Sequence, residues 1–282
     1  MRDVALERDT FSACSGAFDL FYQTDKAKGS PVGSVVLVHG LCEHSGRYTH
    51  VANAFVDAGF NVLLFDLPGH GHSTGARGHV DLFEQYIDAT QVAVDKACRI
   101  FEQKQVLLFG HSLGGLIALH YAASFHENLS GLILSNPLCR EKVKIPAWQR
   151  ALIHLFSLVR PTVLFPVDIP SQHLTHDAEM IQAHEQDPLY MSHVSARCLL
   201  QLQEAMRRCD DQLVGKIGVP VLLQLASKDK IVDVAQARHL FANHPVTGSK
   251  TLMYEDFYHE IYNEVDRYQP IEHVITWMKD RA

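Results

Sequence analysis

Short apolar runs alternate with longer amphipathic stretches along most of this chain. Six runs of four to seven residues are almost wholly apolar, which is typical of parallel strands covered on both faces. They lie at residues 34–39, 61–65, 105–109, 131–134, 219–225 and 250–254. The stretches between them predict helices at 48–58, 82–101, 112–124, 234–242 and 264–281. This order predicts an α/β fold, with a mostly parallel sheet and helices on both of its faces. Segment 18–23 fits an additional antiparallel edge strand.

The alternation stops between residues 137 and 215. This segment holds helical patterns and prolines but no convincing strand, and another helical stretch runs over 185–208. We therefore predict a core at residues 1–136 and 216–282, with a helical cap (lid) inserted at 137–215. Apolar residues at helical spacing run from Trp148 to Val159. One interpretation is that these residues simply pack within the cap. The alternative is that Ile153 and Leu158 on the flank of this stripe contact lipid or line an acyl tunnel.

Composition narrows the class of protein. The 282 residues are 47% hydrophobic and 20% charged, as in ordinary globular proteins, and the formal net charge is −7. Because no basic face is evident, we expect no nucleic-acid partner. Six scattered cysteines, a charged start without a signal-peptide core and no apolar stretch of about 20 residues favour a cytoplasmic protein. A peripheral membrane contact stays open. The 18 histidines show no metal-ligand spacing, so we expect neither metal nor cofactor.

The strongest motif is Gly110-His111-Ser112-Leu113-Gly114, which matches G-x-S-x-G. It follows an apolar strand and precedes a helical pattern, which is the strand–turn–helix setting of a nucleophile elbow in the α/β-hydrolase fold. The serine of such an elbow sits on a strained turn, so the positions two residues away must be small. Ser112 is therefore the predicted nucleophile.

A serine nucleophile needs a base and an acid that orients the base. On this fold they follow the serine in the order acid, then histidine, at the carboxyl ends of later strands. Asp229 follows the strand at 219–225, whereas its rival Asp233 is placed to cap the next helix. His259 follows the strand at 250–254, whereas other late histidines fall in or beside predicted helices. We predict Asp229 as the acid and His259 as the base.

An oxyanion hole requires two N–H donors. One is the amide of Leu113, directly after the nucleophile, and the other is expected in the loop after an early strand. That strand ends in His39-Gly40-Leu41, so the amide of Leu41 is the natural donor. The glycine-rich loop at 66–75 lacks G-x-G-x-x-G and does not open a helix, which excludes dinucleotide binding there.

Together these segments resemble the monoacylglycerol lipase and lysophospholipase group of α/β-hydrolases. The resemblance covers the chain from about residue 18 to its end. It rests on HGLCEHSGRY (39–48), DLPGHGHSTGARGHV (66–80), GHSLGG (110–115), DPL (187–189), SKDKIVD (227–233) and YHE (258–260). The resemblance implies hydrolysis of a monoacylglycerol or a similar single-chain lipid ester. It also implies that the acyl chain lies under the cap and the glycerol head group in a small polar pocket.

By position, the resemblance places Glu43 and Arg47 near the head-group pocket and His111 beside the nucleophile. An ion pair that holds the oxyanion loop is an equally good interpretation of Glu43 and Arg47. The family often has a tyrosine three residues before DPL, where this chain has His184. This departure bears on head-group specificity, and a preference for another small ester stays an alternative.

Three alternatives remain on the same scaffold. Perhydrolases and acyltransferases keep the serine, a short-chain carboxylesterase keeps the whole triad, and a non-catalytic binding protein keeps only the fold. Dehalogenases and epoxide hydrolases use aspartate at the elbow, and both are excluded because this chain has Ser112 there. Acyl-chain length, head group and oligomeric state do not follow from the sequence.

Overall fold

The fold is built around a single large sheet. In the computed structural model, the described residues are 7–142, 145–167 and 169–281. Their strands are β1 (Glu7–Ala13), β2 (Phe18–Asp25), β3 (Gly33–Val38), β4 (Phe60–Phe65), β5 (Val106–His111), β6 (Leu129–Ser135), β7 (Leu164–Pro166), β8 (His193–Ser195), β9 (Val221–Ala226) and β10 (Lys250–Tyr254). Eight of them form one sheet in the order β1-β2-β4-β3-β5-β6-β9-β10.

Helices follow most of the strands. They are α1 (Thr49–Asp57), α2 (Glu84–Ile100), α3 (Leu113–Phe125), α4 (Ala147–Val159), α5 (Ala178–Glu185), α6 (Ala196–Arg207), α7 (Asp211–Val214), α8 (Val234–Asn243) and α9 (Tyr268–Lys279). The pairs from β4 to β10 are parallel, and β2 pairs antiparallel with both β1 and β4. The predicted fold class, a mostly parallel sheet with helices on both faces, is confirmed.

The core divides at the sheet because successive side chains of a strand point to opposite faces. Val36 and Val38 of β3 pack in a cluster with α2 and α3. Val35 and Leu37 pack in a second cluster with α1 and α9. Every residue of β4, β5 and β9 is buried, which explains why these strands are apolar runs without alternation.

Two strand predictions need correction. The segment at 18–23 belongs to β2, but β1 pairs along it, so β1 and not β2 is the edge. The segment between β6 and β9 was expected to lack strands, yet β7 and β8 form a short antiparallel pair. Each has three residues, which is too short for a periodic signal.

The boundaries of the cap stay a prediction. Between β6 and β9 the structure places α4 to α7 and the β7–β8 pair, and all of them fall within residues 137–215. The start of the chain at residues 1–6, on which part of the localisation prediction rests, lies outside the described residues, as do 143, 144, 168 and 282. Among the described residues, every helix is too short or too polar to cross a bilayer.

Candidate active site

Ser112 lies at a sharp turn between β5 and α3. Its backbone has φ 51° and ψ −113°, and a sparsely populated conformation of this kind costs about 1–3 kcal/mol. A Cβ atom at Gly110 would lie 2.3 Å from the carbonyl oxygen of Gly114. One at Gly114 would lie 2.2 Å from the carbonyl oxygen of Val38. Both glycines of the motif are required, because the atoms they contact belong to the backbone.

Asp229 and His259 meet beyond the ends of β9 and β10. The Oδ2 atom of Asp229 lies 2.7 Å from Nδ1 of His259, and both side chains are buried. The other carboxylate oxygen accepts the N–H groups of Ile231 and Val232 at 2.7 and 2.9 Å. Asp233 instead caps α8 with its side chain. The structure therefore pairs with His259 the aspartate that the sequence favoured.

This contact shifts the pKa of both groups. Burial by itself would raise the pKa of Asp229, but His259 and the two backbone donors hold it below its ordinary value. Burial by itself would lower the pKa of His259, but the Asp229 carboxylate raises it above 6.5. A general base must be neutral to accept a proton. Activity that depends on His259 should therefore fall as the pH drops through this raised pKa.

Ser112 and His259 line the same cavity, together with His111. Within the described residues, no hydrogen bond joins the Ser112 hydroxyl to His259; such contacts often tighten only once substrate is bound. The rings of His111 and His259 lie 4.8 Å apart, and Nδ1 of His111 lies 2.9 Å from Oγ of Ser135. Burial, with the neighbouring His259, lowers the pKa of His111 to about 3, so His111 stays neutral.

The loop after β3 carries Leu41, the predicted oxyanion donor. The peptide units around Gly40 are held at two points. The Oε1 atom of Glu43 accepts the N–H of Gly40 at 2.5 Å, and the carbonyl oxygen of Gly40 lies 2.8 Å from Nδ1 of His39. Gly40 and Leu41 both line the cavity that contains the serine. A donor fixed before the reaction is what oxyanion stabilisation requires.

Two buried carboxylates bracket the guanidinium of Arg47, and we call Glu43, Arg47 and Glu260 the Arg47 cluster. Arg47 contacts Glu43 at 3.1 Å and donates two hydrogen bonds to Glu260, at 2.8 and 2.7 Å. The ion pair between Glu43 and Arg47 is present, and all three residues line the cavity. A role of Glu43 and Arg47 in head-group binding stays a prediction. The sequence reasoning missed Glu260, although it directly follows His259.

Glu260 and Arg47 form a charged pair at neutral pH. Burial by itself would raise the pKa of Glu260, but Arg47 lowers it to about 2. The free Glu pKa is about 4.3, so the stabilisation from this pair is fully present above that pH and is lost as the pH falls towards 2. Burial raises the pKa of Glu43, which Arg47 and the Tyr48 hydroxyl oppose.

His184 lies behind the cavity wall. Its side chain is buried, and its ring centroid lies 3.9 Å from that of Tyr190, which itself lines the cavity. Burial, with nearby Arg47, lowers the pKa of His184 and keeps it neutral. His184 therefore supports the cavity wall through its contact with Tyr190, which the sequence reasoning did not single out.

The cavity has a volume of about 420 Å³, within the range of small-molecule sites. Its apolar wall comes largely from the segment between β6 and β9, including Ile153, Phe165, Val167, Leu174 and Leu202. The Arg47 cluster, His259 and the oxyanion loop contribute polar groups to the cavity. The site can therefore hold an apolar chain while its ester group lies beside a serine.

Comparison with known proteins identifies the family. Residues 29–266 match the model of a hydrolase family described as serine aminopeptidase, S33. The chain belongs to this family of α/β-hydrolases. The predicted resemblance is confirmed by relatives with lipase names. Phospholipase YtpA of Bacillus subtilis (strain 168) is 31% identical over 238 residues, which cover 84% of this chain and 91% of that protein.

Monoglyceride lipase of Homo sapiens is 30% identical over 250 residues, which cover 87% of this chain and 81% of that protein. The crystal structure of Paleococcus ferrophilus monoacylglycerol lipase aligns with a TM-score of 0.85 and 28% identity, over 93% of this chain and 99% of that chain. An uncharacterized abhydrolase domain-containing protein of Dictyostelium discoideum is 30% identical, but this chain spans 28% of its length. This chain is a lipase or esterase of the monoacylglycerol lipase group.

Proposed function

We propose that this chain is a serine carboxylic-ester hydrolase that cleaves monoacylglycerols, or similar single-chain lipid esters such as lysophospholipids, to fatty acid and alcohol. The observation that carries the proposal is the apolar cavity with Ser112, His259 and the oxyanion loop in its wall. The names of the relatives, monoglyceride lipase and phospholipase, support the substrate class.

The acylation step follows from the contacts. His259 accepts the proton of the Ser112 hydroxyl through Nε2, since its Nδ1 faces Asp229. The serine oxygen attacks the ester carbonyl carbon, and the amides of Leu41 and Leu113 bind the oxyanion. His259 then gives its proton to the leaving alcohol oxygen, which leaves an acyl-serine. Asp229 fixes the imidazole tautomer and stabilises its charged form.

Deacylation repeats this chemistry with water. His259 removes a proton from a water molecule, the hydroxide attacks the acyl carbonyl, and the serine oxygen leaves with the proton held by His259. The products are a fatty acid and the free enzyme. In the proposed pose the acyl chain lies along the apolar wall, and the head group lies near the Arg47 cluster, His111 and Tyr190, with His184 behind.

The nucleophile is tested with Ser112→Ala and a matched exposed serine of α3, Ser124→Ala, as control. Hydrolysis of a p-nitrophenyl ester should fall by on the order of 10⁴-fold or more in the first variant and stay at the parent rate in the second. Hydrolysis by Ser112→Ala at the parent rate would overturn the assignment. Labelling of the parent by a fluorophosphonate probe should likewise disappear in Ser112→Ala.

The substrate is tested with monoacylglycerols of several chain lengths, lysophosphatidylcholine, diacylglycerol and triacylglycerol. We expect medium or long monoacyl substrates to give the highest kcat/KM, because a longer chain covers more of the apolar wall. A preference for short esters would identify a short-chain carboxylesterase instead. Partition of the acyl group to an added alcohol rather than water would identify an acyltransferase.

We further propose that the outer surface of α4 contacts the lipid surface that supplies the substrate. Trp148, Leu155, Leu158 and Val159 are between 51% and 64% exposed, an unusual density of large apolar side chains on one short helix. Ile153 of the same helix lines the cavity. A lipid that leaves the surface would therefore meet the cavity wall within the thickness of one helix.

A further inference from the structure

The carboxylate of Glu264 joins two segments that are far apart in sequence. It is buried, at 3% exposure, and both of its oxygens accept hydrogen bonds. One oxygen accepts the N–H of Tyr258 at 2.8 Å and lies 2.9 Å from Nδ1 of His176. The other accepts the N–H of His176 at 3.0 Å and lies 3.3 Å from the Thr175 hydroxyl. Because both oxygens have donors, this buried side chain is held in one orientation.

The backbone that carries His259 is held on both sides. The N–H of Tyr258, one residue before His259, is bound by Glu264. The carbonyl oxygen of His259 accepts a hydrogen bond of 2.6 Å from Asn136, which also binds β9. The N–H of Glu260 donates to the carbonyl oxygen of Leu174 at 2.8 Å. Of these three contacts, the one made by Glu264 also joins the loop to a second segment, because the same side chain accepts the N–H of His176.

The same carboxylate reaches the cavity wall. Leu174 lines the cavity, and the next two residues, Thr175 and His176, are those bound by Glu264. The ring of His176 stacks on that of Tyr258 with 3.7 Å between centroids. The segment at 174–176 and the loop of the base therefore pack as one unit around Glu264.

We propose that Glu264 is a positioning residue for the base: it sets the orientation of His259 and ties that orientation to the segment at 174–176, whose Leu174 lines the cavity. This inference rests on the proposed hydrolysis with His259 as base. Glu264 lines no part of the cavity and acts only through Tyr258 and the wall segment. Its loss should thus slow the chemical steps more than it weakens substrate binding.

Glu264→Gln is the sharpest variant, because it keeps the shape and removes the charge and one acceptor. Its amide NH₂ must face either the N–H of Tyr258 or that of His176, so one donor–acceptor pair becomes donor–donor. The matched control is Glu272→Gln, the same change at an exposed position of α9. Both are compared with the parent in kcat, KM, melting temperature and the pH profile of kcat/KM.

We expect kcat of Glu264→Gln to fall by roughly 10- to 100-fold, the scale set by a small misplacement of a catalytic group. KM should change far less. The acid limb of the pH profile should move to lower pH, because a misaligned His259 loses part of the Asp229 contact that raises its pKa. The downfield proton resonance of the His259–Asp229 hydrogen bond should broaden or move. Glu272→Gln should match the parent in all of these.

A folded Glu264→Gln with parental kcat and pH profile would overturn the proposal, as would a fall confined to KM. If this variant does not fold, His176→Ala decides, since it removes the ring donor and the stack but leaves both backbone donors. It should lower kcat to a smaller extent with the same direction of pH shift, and parental behaviour would overturn the proposal. Failure of the proposed function would be seen in the parent chain instead: it would not hydrolyse esters, or its activity would not depend on Ser112.

Discussion

Helices α3 and α4 are each thirteen residues long and rich in apolar residues, but they lie in opposite surroundings. The first ten residues of α3 are all buried, between the sheet and its neighbours. In α4 the buried residues are Ile153 and Ser157, and large apolar side chains face outwards. Apolar content alone therefore does not say what a helix does, because its contribution depends on what covers it.

This difference separates two roles. The apolar residues of α3 stabilise the fold and hold Ser112 at the end of β5. In α4, Ile153 lines the cavity on one side, and large apolar side chains lie open on the other. Substitutions in α3 should act on stability and on the chemical step, and substitutions in α4 on the substrate and its source.

The largest combined effect on stability and activity is expected from Gly114→Ala at the start of α3. The new Cβ would lie 2.2 and 2.6 Å from the carbonyl oxygens of Val38 and His39, so the elbow or the oxyanion loop must move. We expect a loss of about 3 kcal/mol in unfolding free energy and a fall in kcat of roughly 100-fold. The measurements are urea unfolding and ester hydrolysis. Ser124→Ala in the same helix is the control, and parental activity in Gly114→Ala would contradict the tight packing.

A matched pair of leucines tests the comparison directly. Leu119→Ala in α3 removes a fully buried side chain and should cost about 2–5 kcal/mol. Leu158→Ala in α4 removes one that is 64% exposed and should cost no more than about 0.5 kcal/mol. Equal losses by urea unfolding would show that α4 is covered in solution, for example by another copy of the chain.

The outward face of α4 should matter at a lipid surface. Trp148→Ser removes a large side chain that is 63% exposed, and its transfer into lipid is worth at least about 1.5 kcal/mol, or roughly tenfold in partition. Binding to phosphatidylcholine vesicles, measured by cosedimentation, should fall by this factor while hydrolysis of a soluble ester is unchanged. Equal vesicle binding by parent and variant would contradict the proposed contact.

A smaller effect on turnover is expected on the inward face of α4. Ile153→Ala shortens a cavity-lining side chain and removes about 1 kcal/mol of contact with a chain that fills the cavity, or roughly fivefold in kcat/KM. A longer acyl chain, which can occupy the freed space, should lose less. A chain-length series of monoacylglycerols measures this, and a uniform loss at all lengths would argue against an acyl pocket at Ile153.

Local pattern was sufficient to predict most of the large sheet. Strands buried on both faces are apolar at most positions, so β3 to β6 and β9 stand out in the sequence. The edge strand β1 was not predicted, because it has no apolar run. Phe11 and Ala13 are its buried residues, whereas Arg8, Asp9 and Thr10 face solvent. Its place depends on pairing with β2, which no local run reveals.

The candidate site divides in the same way. Ser112, Asp229 and His259 follow from strand ends and chain order, and these are local signals. Glu264 does not, because its contacts join residues about 88 positions apart, and the predicted helix at 264–281 placed it inside α9. The helix begins instead at Tyr268. Contacts between residues far apart in the sequence depend on the tertiary fold, so they produce no periodic pattern in the sequence.

The order of strands also has a consequence for the chain as it is made. The edge of β6 is closed by β9, and 85 residues separate the two strands. At 5–20 residues per second, roughly 4 to 17 s pass on the ribosome before β9 can follow β6. During that interval the apolar edge next to the elbow has no native partner. A nascent chain of this enzyme is therefore most open to aggregation and to chaperone binding while the segment between β6 and β9 is being synthesised.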